Sequence, residues 1–334
     1  MRYSSPTMFA SVDVGAAFTG CAVANGAGQM LAERTIPTLA HEGPESVLNR
    51  IAATVNDLAA TAGARVLALG VGVPGLADFH RGRTVFLPNL PGGWRDLPVA
   101  ERLSARVGCP VFLLNDARMA ALGELWFGHG RNAKTMVAIT VGTGIGGGVV
   151  IERKLRLGPL GAAGEIGHQT ILPDGPLCGC GNHGCLETLA SGPALMGEGV
   201  RLMNSGHAPH LYDMVAGDAN RVTPRLMAQA AAAGDSSVRE AIVRAARYLG
   251  IGVANVITVL NPELVVVGGD VAGVGPLLIE TVRREVRDRV RLFPVEKVRI
   301  ESSALEDKAG LWGGIALAMA RLKQASSQSS AEAL

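Results

Sequence analysis

Apolar runs and turn residues alternate in a regular order at the start of the chain. Residues 8–14, 18–24 and 30–37 are runs of strand length, and the small and turn-forming residues between them predict antiparallel hairpins. Residues 44–62 repeat apolar side chains at helical spacing, and residues 66–73 form the continuous apolar run of a strand buried on both faces. The predicted order is three antiparallel strands, a helix and a parallel strand.

The same order of elements recurs in the second half. Residues 136–141 form a strand that runs into the glycine-rich stretch GTGIGGG, with further short strands on either side of a turn at 152–154. Residues 237–260 then repeat apolar positions at helical spacing, and residues 264–267 form another buried strand. We interpret this as an internal duplication of one β-β-β-α-β unit, which predicts a duplicated two-domain α/β fold with a ligand cleft between the domains.

The strand predicted at 111–114 ends in the polar pair Asn115-Asp116. The carboxyl ends of strands face the ligand crevice in open α/β sheets, so this pair is a candidate site. The pair also stands at the start of the small-residue helix predicted at 117–126, and a helix N-cap explains it equally well.

The duplication also predicts the domain boundaries. We place a small α/β domain at 1–115 and a large α/β domain with a metal-binding insertion at 116–309. The apolar helix at 310–323 is predicted to pack back on the small domain, and 324–334 is expected to be a disordered tail.

Composition excludes several classes of function. The chain has 334 residues, of which 48% are hydrophobic and 18% are charged, which is typical of a globular protein. Its net charge of +2 gives no electrostatic reason to expect nucleic acid or an anionic membrane as a partner. We find no apolar run of about 18 residues and no export signal, and five cysteines fit a reducing compartment, so we predict a cytoplasmic protein.

Four residues with metal-ligand chemistry lie close together in a turn-rich stretch. They are His168, Cys178, Cys180 and Cys185, and the glycines between them let a short backbone wrap around one ion. Three thiolates and one imidazole leave no position for a catalytic water, which indicates a closed structural zinc site. Buried or disulfide-forming cysteines are the alternative.

Two carboxylates, Glu165 and Glu187, flank this cluster. Side chains held by a metal-rigidified loop keep their positions and suit hydrogen bonding to a hydroxylated ligand. A solvated surface position explains each glutamate when it is taken alone. Their attachment to the same loop favours a polar pocket.

Glycine-rich turns that follow two of the apolar strands predict phosphate binding, because such turns present backbone N–H groups to anions. The candidate residues there are Thr143, Gly144, Gly146, Gly268 and Gly269. Ordinary turns or bulges are the alternative. At the end of the first strand, Asp13 suits a water-mediated contact with Mg²⁺, and Gly15 begins a tight turn of small residues.

Together these features suit phosphoryl transfer, which needs an aligned acceptor hydroxyl, a base for its proton and neutralisation of the phosphates. Asp116 is the candidate base. His168 is expected to place one ring nitrogen on zinc and the other on a hydroxyl, with a backbone carbonyl as the alternative partner. The candidate contacts to the hydroxyls of a sugar are the turn residue Gly75 and the side chains of Asn89, Asn115, Glu165, His168 and Glu187.

Six motifs together resemble the ROK family of bacterial sugar kinases, repressors and open reading frames. They are DVGAAF at Asp13, LND ending at Asp116, VGTGIGGG at Val141, GEIGH at Gly164, CGCGNHGCLE at Cys178 and VVVGGD at Val265. The resemblance implies an actin-like, ribonuclease-H-like fold, a structural zinc ion, homodimers, and ATP-dependent phosphorylation of a hexose, usually at its 6-hydroxyl. It also implies the same base, sugar contacts and zinc ligands as those named above.

One motif departs from the family pattern. Kinases of this family usually carry DxGGT in the first phosphate loop, whereas Ala16 and Ala17 follow Gly15 here. The second glycine leaves room for phosphate, and the threonine supplies a hydroxyl donor worth about 1.5 to 3 kcal/mol when it bonds a charged group. We therefore expect weakened or altered use of ATP.

These observations favour a hexose kinase of the glucokinase type. A kinase for N-acetylmannosamine, N-acetylglucosamine or a rarer hexose such as allose shares the same contacts. Two alternatives of another class are a sugar-responsive transcriptional regulator and a sugar-binding protein without activity. Repressors that the chain resembles carry an additional DNA-reading segment before the first strand, and we expect none in seven residues.

Overall fold

The computed structural model describes residues 7–87 and 90–331, and for residues 325–331 it describes the backbone alone. The chain divides into two compact units. Unit 1 comprises Met1–Arg131, Leu155–Ala163 and Lys308–Leu334, and unit 2 comprises Asn132–Lys154 and Gly164–Asp307.

Unit 1 is built on a five-stranded sheet. Its elements in chain order are β1 (Thr7–Val14), β2 (Phe18–Asn25), β3 (Met30–Pro37), α1 (Pro44–Ala62), β4 (Arg65–Val73), β5 (Leu76–Asp78), β6 (Arg83–Phe86), α2 (Val99–Val107), β7 (Val111–Asn115) and α3 (Asp116–Trp126). The strand order is β3-β2-β1-β4-β7, with β1, β2 and β3 antiparallel and with β4 and β7 added in parallel. A separate hairpin joins β5 to β6.

Unit 2 repeats this design. The remaining elements in chain order are β8 (Met136–Val141), β9 (Ile145–Ile151), β10 (Lys154–Arg156), α4 (Leu186–Ala190), α5 (Gly192–Asn204), α6 (Pro209–Val215), α7 (Pro224–Ala233), α8 (Ser236–Leu260), β11 (Leu264–Gly268), α9 (Pro276–Arg289), β12 (Arg299–Ser302) and α10 (Ala309–Ala331). Helix α10 and the last two residues of β10 belong to unit 1. The second sheet has the order β10-β9-β8-β11-β12, with β8 and β9 antiparallel and β11 parallel to both β8 and β12.

The two sheets confirm the predicted α/β class and the internal duplication. In each unit, three consecutive strands are followed by a helical crossover and then by a strand that pairs in parallel with the first of the three. Helix α1 packs on β2 and β3 with seven buried residues, and α8 packs against α7 and α9 with eleven. Apolar residues at helical spacing between strand-length runs therefore determined this topology.

The boundary between the units differs from the predicted one. The prediction placed the boundary before residue 116, whereas α3 belongs to unit 1, which extends to Arg131. The reason is close packing between α3 and α10: Cβ atoms on Gly123 and Gly313 would overlap the carbonyl oxygens of Ala309 and Met119. The prediction that α10 packs back on the first domain is confirmed by its contacts with β1, β4 and α3.

The end of the chain also differs from the expectation of a disordered tail from residue 324. Helix α10 continues to Ala331. Residues 332–334 lie outside the described part.

Helix α8 is long and apolar enough to cross a membrane by length and composition, and no other helix in the described ranges is. Half of its most apolar window is buried inside the protein. Its buried residues belong to the hydrophobic core of unit 2, so α8 is the core helix of that unit.

Candidate active site

The four predicted metal ligands converge in unit 2. One ligand atom from each of His168, Cys178, Cys180 and Cys185 lies within 4.8 Å of the others. The Sγ atoms of Cys180 and Cys185 are 3.7 Å apart, and Sγ of Cys178 is 3.6 Å from Nδ1 of His168. Zn–S bonds of about 2.3 Å in a tetrahedron separate two sulfurs by about 3.8 Å. The donor set and its spacing fit a zinc ion.

Tight turns bring these ligands together within one loop. The N–H of Cys178 donates to the carbonyl of Asn182 (2.7 Å), and the N–H of Gly181 donates to the carbonyl of Cys178 (2.9 Å). Gly181 has a φ of +90° and Gly184 a φ of +63°, a region that glycine adopts without a steric penalty. At Gly184 a Cβ would also overlap the Leu172 carbonyl. The loop therefore needs glycine where the sequence supplies it.

The cysteines of this cluster differ in acidity. Burial raises the pKa of Cys178 and raises that of Cys185 to about 12. The backbone N–H of Asn182 lowers the pKa of the exposed Cys180. Two of the three sulfurs are therefore disfavoured as thiolates by their surroundings and need a bound cation to ionise.

The two predicted glutamates both contact this region. Oε2 of Glu165 lies 3.8 Å from Nε2 of His168, on the side of the ring opposite to Nδ1 and the sulfurs. Oε2 of Glu187 accepts a hydrogen bond from the N–H of Ile145 (2.8 Å), and Oε1 of Glu187 lies 4.0 Å from Sγ of Cys178. Glu187 thus links the metal loop to the glycine-rich turn.

That turn is shorter than the sequence predicts. Ile145–Ile151 is strand β9, and Gly146, Gly147 and Gly148 stand opposite Thr140, Ile139 and Ala138 in its ladder with β8. Only residues 142–144 form a loop, closed by a hydrogen bond from the N–H of Gly142 to the carbonyl of Gly144. The proposed seven-residue cradle is therefore corrected to a three-residue turn, because pairing with β8 extends the strand.

The second glycine pair lies beside this turn. Gly268 ends β11 opposite Thr140 in the parallel ladder, and Gly269 has a φ of +87°. A Cβ on Gly269 would come within 2.6 Å of the Val141 carbonyl, which shows how closely the two strand ends approach. Thr143, Gly144, Gly268 and Gly269 therefore share one edge of the unit 2 sheet, while Gly146 lies within β9.

The remaining candidates lie in unit 1, at the carboxyl ends of its parallel strands. The carboxylate of Asp13 lies against Gly72 of β4 and Gly310 in the first turn of α10, where a Cβ would crowd its oxygens. No described residue donates a hydrogen bond to it within 7–87 and 90–331. Burial, and secondly the charge of Asp116, raises the pKa of Asp13 to about 7. A half-buried carboxylate that no described residue bonds fits a cation.

Gly15 is held by bonds within the protein. Its N–H donates to the Phe18 carbonyl (3.0 Å), and its own carbonyl accepts from Oγ1 of Thr38 (2.8 Å). Ala16 and Ala17, the two departures from the family pattern, are exposed beside it. In this arrangement, the N–H of Gly15 is already engaged within the turn.

The polar pair at the end of β7 caps helix α3. Asn115 is the N-cap of α3, and its Oδ1 accepts from the N–H of Arg118 (3.2 Å). Its Nδ2 donates to the Gly75 carbonyl (3.0 Å) and to Oδ1 of Asp116 (2.9 Å). Oδ1 of Asp116 also accepts from the N–H of Ala117 (2.7 Å). The N-cap prediction is confirmed, and the Asp116 carboxylate is held by two donors.

Among the other sugar candidates, Gly75 lies beside Asn115, with a φ of +117° that favours glycine. Asn89 lies outside the described residues. Sequence reasoning missed Arg118, which is 1% exposed and contacts Asn115. The available signal was an arginine three residues after the polar pair, in a helix otherwise rich in small residues.

Comparison with known proteins places these features in a family. The model of the ROK family matches residues 9–321. The chain is 35% identical over 317 residues to a glucokinase of Thermotoga maritima, covering 93% of this chain and 97% of the relative. It is 35% identical over 252 residues to a xylose repressor of Caldicellulosiruptor bescii, of which the match covers 62%.

A solved structure gives the same result for the fold. The crystal structure of a ROK family glucokinase from Streptomyces griseus in complex with glucose and AMPPNP superposes with a TM-score of 0.84 at 33% identity. The match covers 93% of this chain and 99% of that one. The predicted actin-like class is thereby confirmed, and the chain belongs to the ROK family.

Proposed function

We propose that this protein is an ATP-dependent hexose kinase that transfers the γ-phosphoryl group of ATP to the 6-hydroxyl of glucose or a close analogue. The observation that carries the proposal is the Asp116 carboxylate, held by the N–H of Ala117 and the amide of Asn115 at the carboxyl end of a parallel strand. The match to a glucokinase over 97% of that relative's length supports it.

In this proposal Asp116 is the general base. Two N–H donors on one oxygen fix the orientation of the carboxylate that accepts a proton from the attacking hydroxyl. Phosphoryl transfer asks little more of the protein than alignment and neutralisation of charge. Asp116 therefore aligns and deprotonates the acceptor.

Asp13 would hold Mg²⁺, which neutralises charge on the phosphates when it is bound. The fit rests on a half-buried carboxylate that no described residue bonds. The proposed phosphate contacts at the unit 2 sheet edge are Thr143, Gly144, Gly268 and Gly269. Gly15 and Gly146 are proposed as well, but pairing within the protein leaves less room for a ligand at the backbone of each.

The proposed sugar contacts are Gly75, Asn89, Asn115, Glu165, His168 and Glu187. His168 would face zinc through Nδ1, and Nε2 on the other side of its ring, near Glu165, suits a hydroxyl. The zinc ion would be structural, with Cys178, Cys180 and Cys185 completing its shell. A homodimer is a further proposal from the family resemblance, and light scattering of the purified protein tests it.

A sugar-binding protein without turnover is the second candidate, and Ala16-Ala17 is the observation that favours it. ADP release measured across glucose, mannose, N-acetylglucosamine, N-acetylmannosamine, allose and xylose separates the two. We expect turnover with glucose or a close analogue. A thermal shift on adding sugar, with no ADP release for any sugar, would support the second candidate instead.

Asp116→Asn tests the assigned base. We expect ADP release to fall about 10²- to 10⁴-fold while the thermal shift on adding sugar stays near that of the parent. Asp57→Asn on α1, where the side chain is 66% exposed, is the matched control and should leave turnover unchanged. Near-parental turnover in Asp116→Asn would remove Asp116 from the mechanism.

A further inference from the structure

A buried arginine lies directly behind the proposed catalytic pair. Arg118 is 1% exposed and occupies the first turn of α3. Its Nη1 donates to Oδ1 of Asn115 (3.0 Å), and its Nε donates to the carbonyl of Ala163 (3.1 Å). Burying a guanidinium is costly, and an apolar side chain of similar length would fill the same space more cheaply. The cost points to a task that an apolar side chain cannot perform.

Arg118 sets the orientation of the Asn115 amide. Both acceptor positions of Oδ1 are filled by Arg118, one by its backbone N–H and one by its guanidinium. Both donors of Nδ2 are filled as well, by the Gly75 carbonyl and by Oδ1 of Asp116. A rotated amide would place its NH₂ group against the N–H groups of Arg118. The NH₂ group must therefore face Asp116.

We propose that Arg118 is a positioning residue for phosphoryl transfer, which acts through Asn115 to hold the Asp116 carboxylate in its productive orientation. The proposal rests on the proposed role of Asp116 as the base. Without the guanidinium, Oδ1 of Asn115 loses its charged donor, and the orientation in which the NH₂ group donates to Asp116 is less stabilised.

The same guanidinium holds a second segment. Leu155–Ala163 belongs to unit 1, where Leu155 and Leu157 pack against a cluster that includes Met119 of α3. The N–H of Ala163 donates to the Leu157 carbonyl (3.0 Å), and its carbonyl accepts from Arg118. One planar side chain therefore fixes both Asn115 and the end of this segment. Lysine carries a single ammonium and cannot reproduce that fork.

Two variants and one control test this role, with kcat and the KM for each substrate as readouts. Arg118→Met should lower kcat about 10- to 100-fold and leave the KM for ATP near its parental value, because alignment of the base is lost. Arg118→Lys should recover part of kcat. Glu124→Gln on the same helix, where Glu124 is 2% exposed and bonds the N–H of His129, controls for the loss of a buried charge and should keep kcat.

The double variant Asn115→Ala/Arg118→Met tests the route of the effect. If Arg118 acts through Asn115, adding Arg118→Met to Asn115→Ala should lower kcat by less than about twofold relative to Asn115→Ala alone. A full additional 10- to 100-fold loss would show that Arg118 acts by another route and would overturn the proposal.

Other outcomes also overturn it. They are parental kcat in Arg118→Met, or a loss of kcat in Glu124→Gln as large as in Arg118→Met. If Arg118→Met does not fold, parental kcat in Arg118→Lys would count against the proposal and a reduced kcat with unchanged melting temperature would support it. Absence of ADP release in the parent, or parental turnover in Asp116→Asn, would instead identify failure of the proposed function.

Discussion

Replacing Asp13 by asparagine should stabilise unit 1 at neutral and alkaline pH. The half-buried carboxylate lies against Gly72 and Gly310 and near the charge of Asp116, and its pKa is raised from 3.8 to about 7. The folded state therefore binds a proton more tightly than the unfolded state. Stability from this group is greatest below pH 4 and declines as the pH rises to 7, where the folded protein must accept the charge.

The size of this effect follows from the same values. The interval from 3.8 to about 7 corresponds to at most about 4 kcal/mol, at about 1.4 kcal/mol per pH unit. Asp13 is partly accessible to water, so we expect about 2 to 4 kcal/mol. Asp13→Asn should unfold with nearly the parental free energy at pH 4 and with a free energy about 2 to 4 kcal/mol higher at pH 8.

Urea unfolding in magnesium-free buffer, followed by tryptophan fluorescence, measures this difference. The chain has three tryptophans, Trp94, Trp126 and Trp312, and all belong to unit 1, so the signal reports the unit that contains Asp13. Asp57→Asn is the matched control, because its exposed carboxylate should change stability by no more than about 1 kcal/mol.

Added Mg²⁺ supplies the second arm of this test. If Asp13 binds the ion, Mg²⁺ should raise the melting temperature of the parent at pH 8 and leave that of Asp13→Asn unchanged. Equal stability of the parent and Asp13→Asn at pH 8, or an unchanged dependence on pH in the variant, would refute burial as the cause of the raised pKa.

Three further changes probe the remaining parts of the site. Cys180→Ser should lower bound zinc well below one ion per chain and reduce the melting temperature; metal analysis of the parent without stoichiometric zinc would contradict the assigned cluster. Gly144→Ala would overlap Oε2 of Glu187, so we expect the KM for ATP to rise and stability to fall by about 1 to 3 kcal/mol in urea unfolding; parental values would show that the turn adapts. Ala16→Gly/Ala17→Thr restores the family pattern and should raise kcat/KM for ATP about 10- to 100-fold in the ADP-release assay, whereas no change would show that this loop does not limit the use of ATP.

Much of the fold could be predicted because its signals are local. Helix α1 begins at Pro44 and ends before Gly63, as predicted: proline is favoured in the first turn, and Gly63 adopts the left-handed φ of +65° that closes a helix. The metal ligands could be found for a similar reason. Cys178, Cys180 and Cys185 are separated by a few residues and several glycines, so turn geometry alone brings them together.

Predictions that depended on distant contacts were less accurate. The glycine-rich stretch suggested a seven-residue loop, but Gly146 and its neighbours lie in β9 because β8 offers them a partner. Helix α3 was assigned to the second domain, yet its packing on α10, some two hundred residues later in the chain, places it in unit 1. Pairing and packing partners far apart in sequence leave no local pattern to recognise.

The sequence by itself determined the strands and helices of the duplicated unit and the residue types available for phosphoryl transfer, because each depends on side-chain periodicity and turn chemistry over a few residues. Tertiary structure alone decided the raised pKa of Asp13 and the contacts of Arg118. The pKa of Asp13 depends on burial between β4 and α10, and the orientation of Asn115 depends on a guanidinium that also binds Ala163. Desolvation and hydrogen-bond direction are properties of the packed site, and they arise only when distant segments meet.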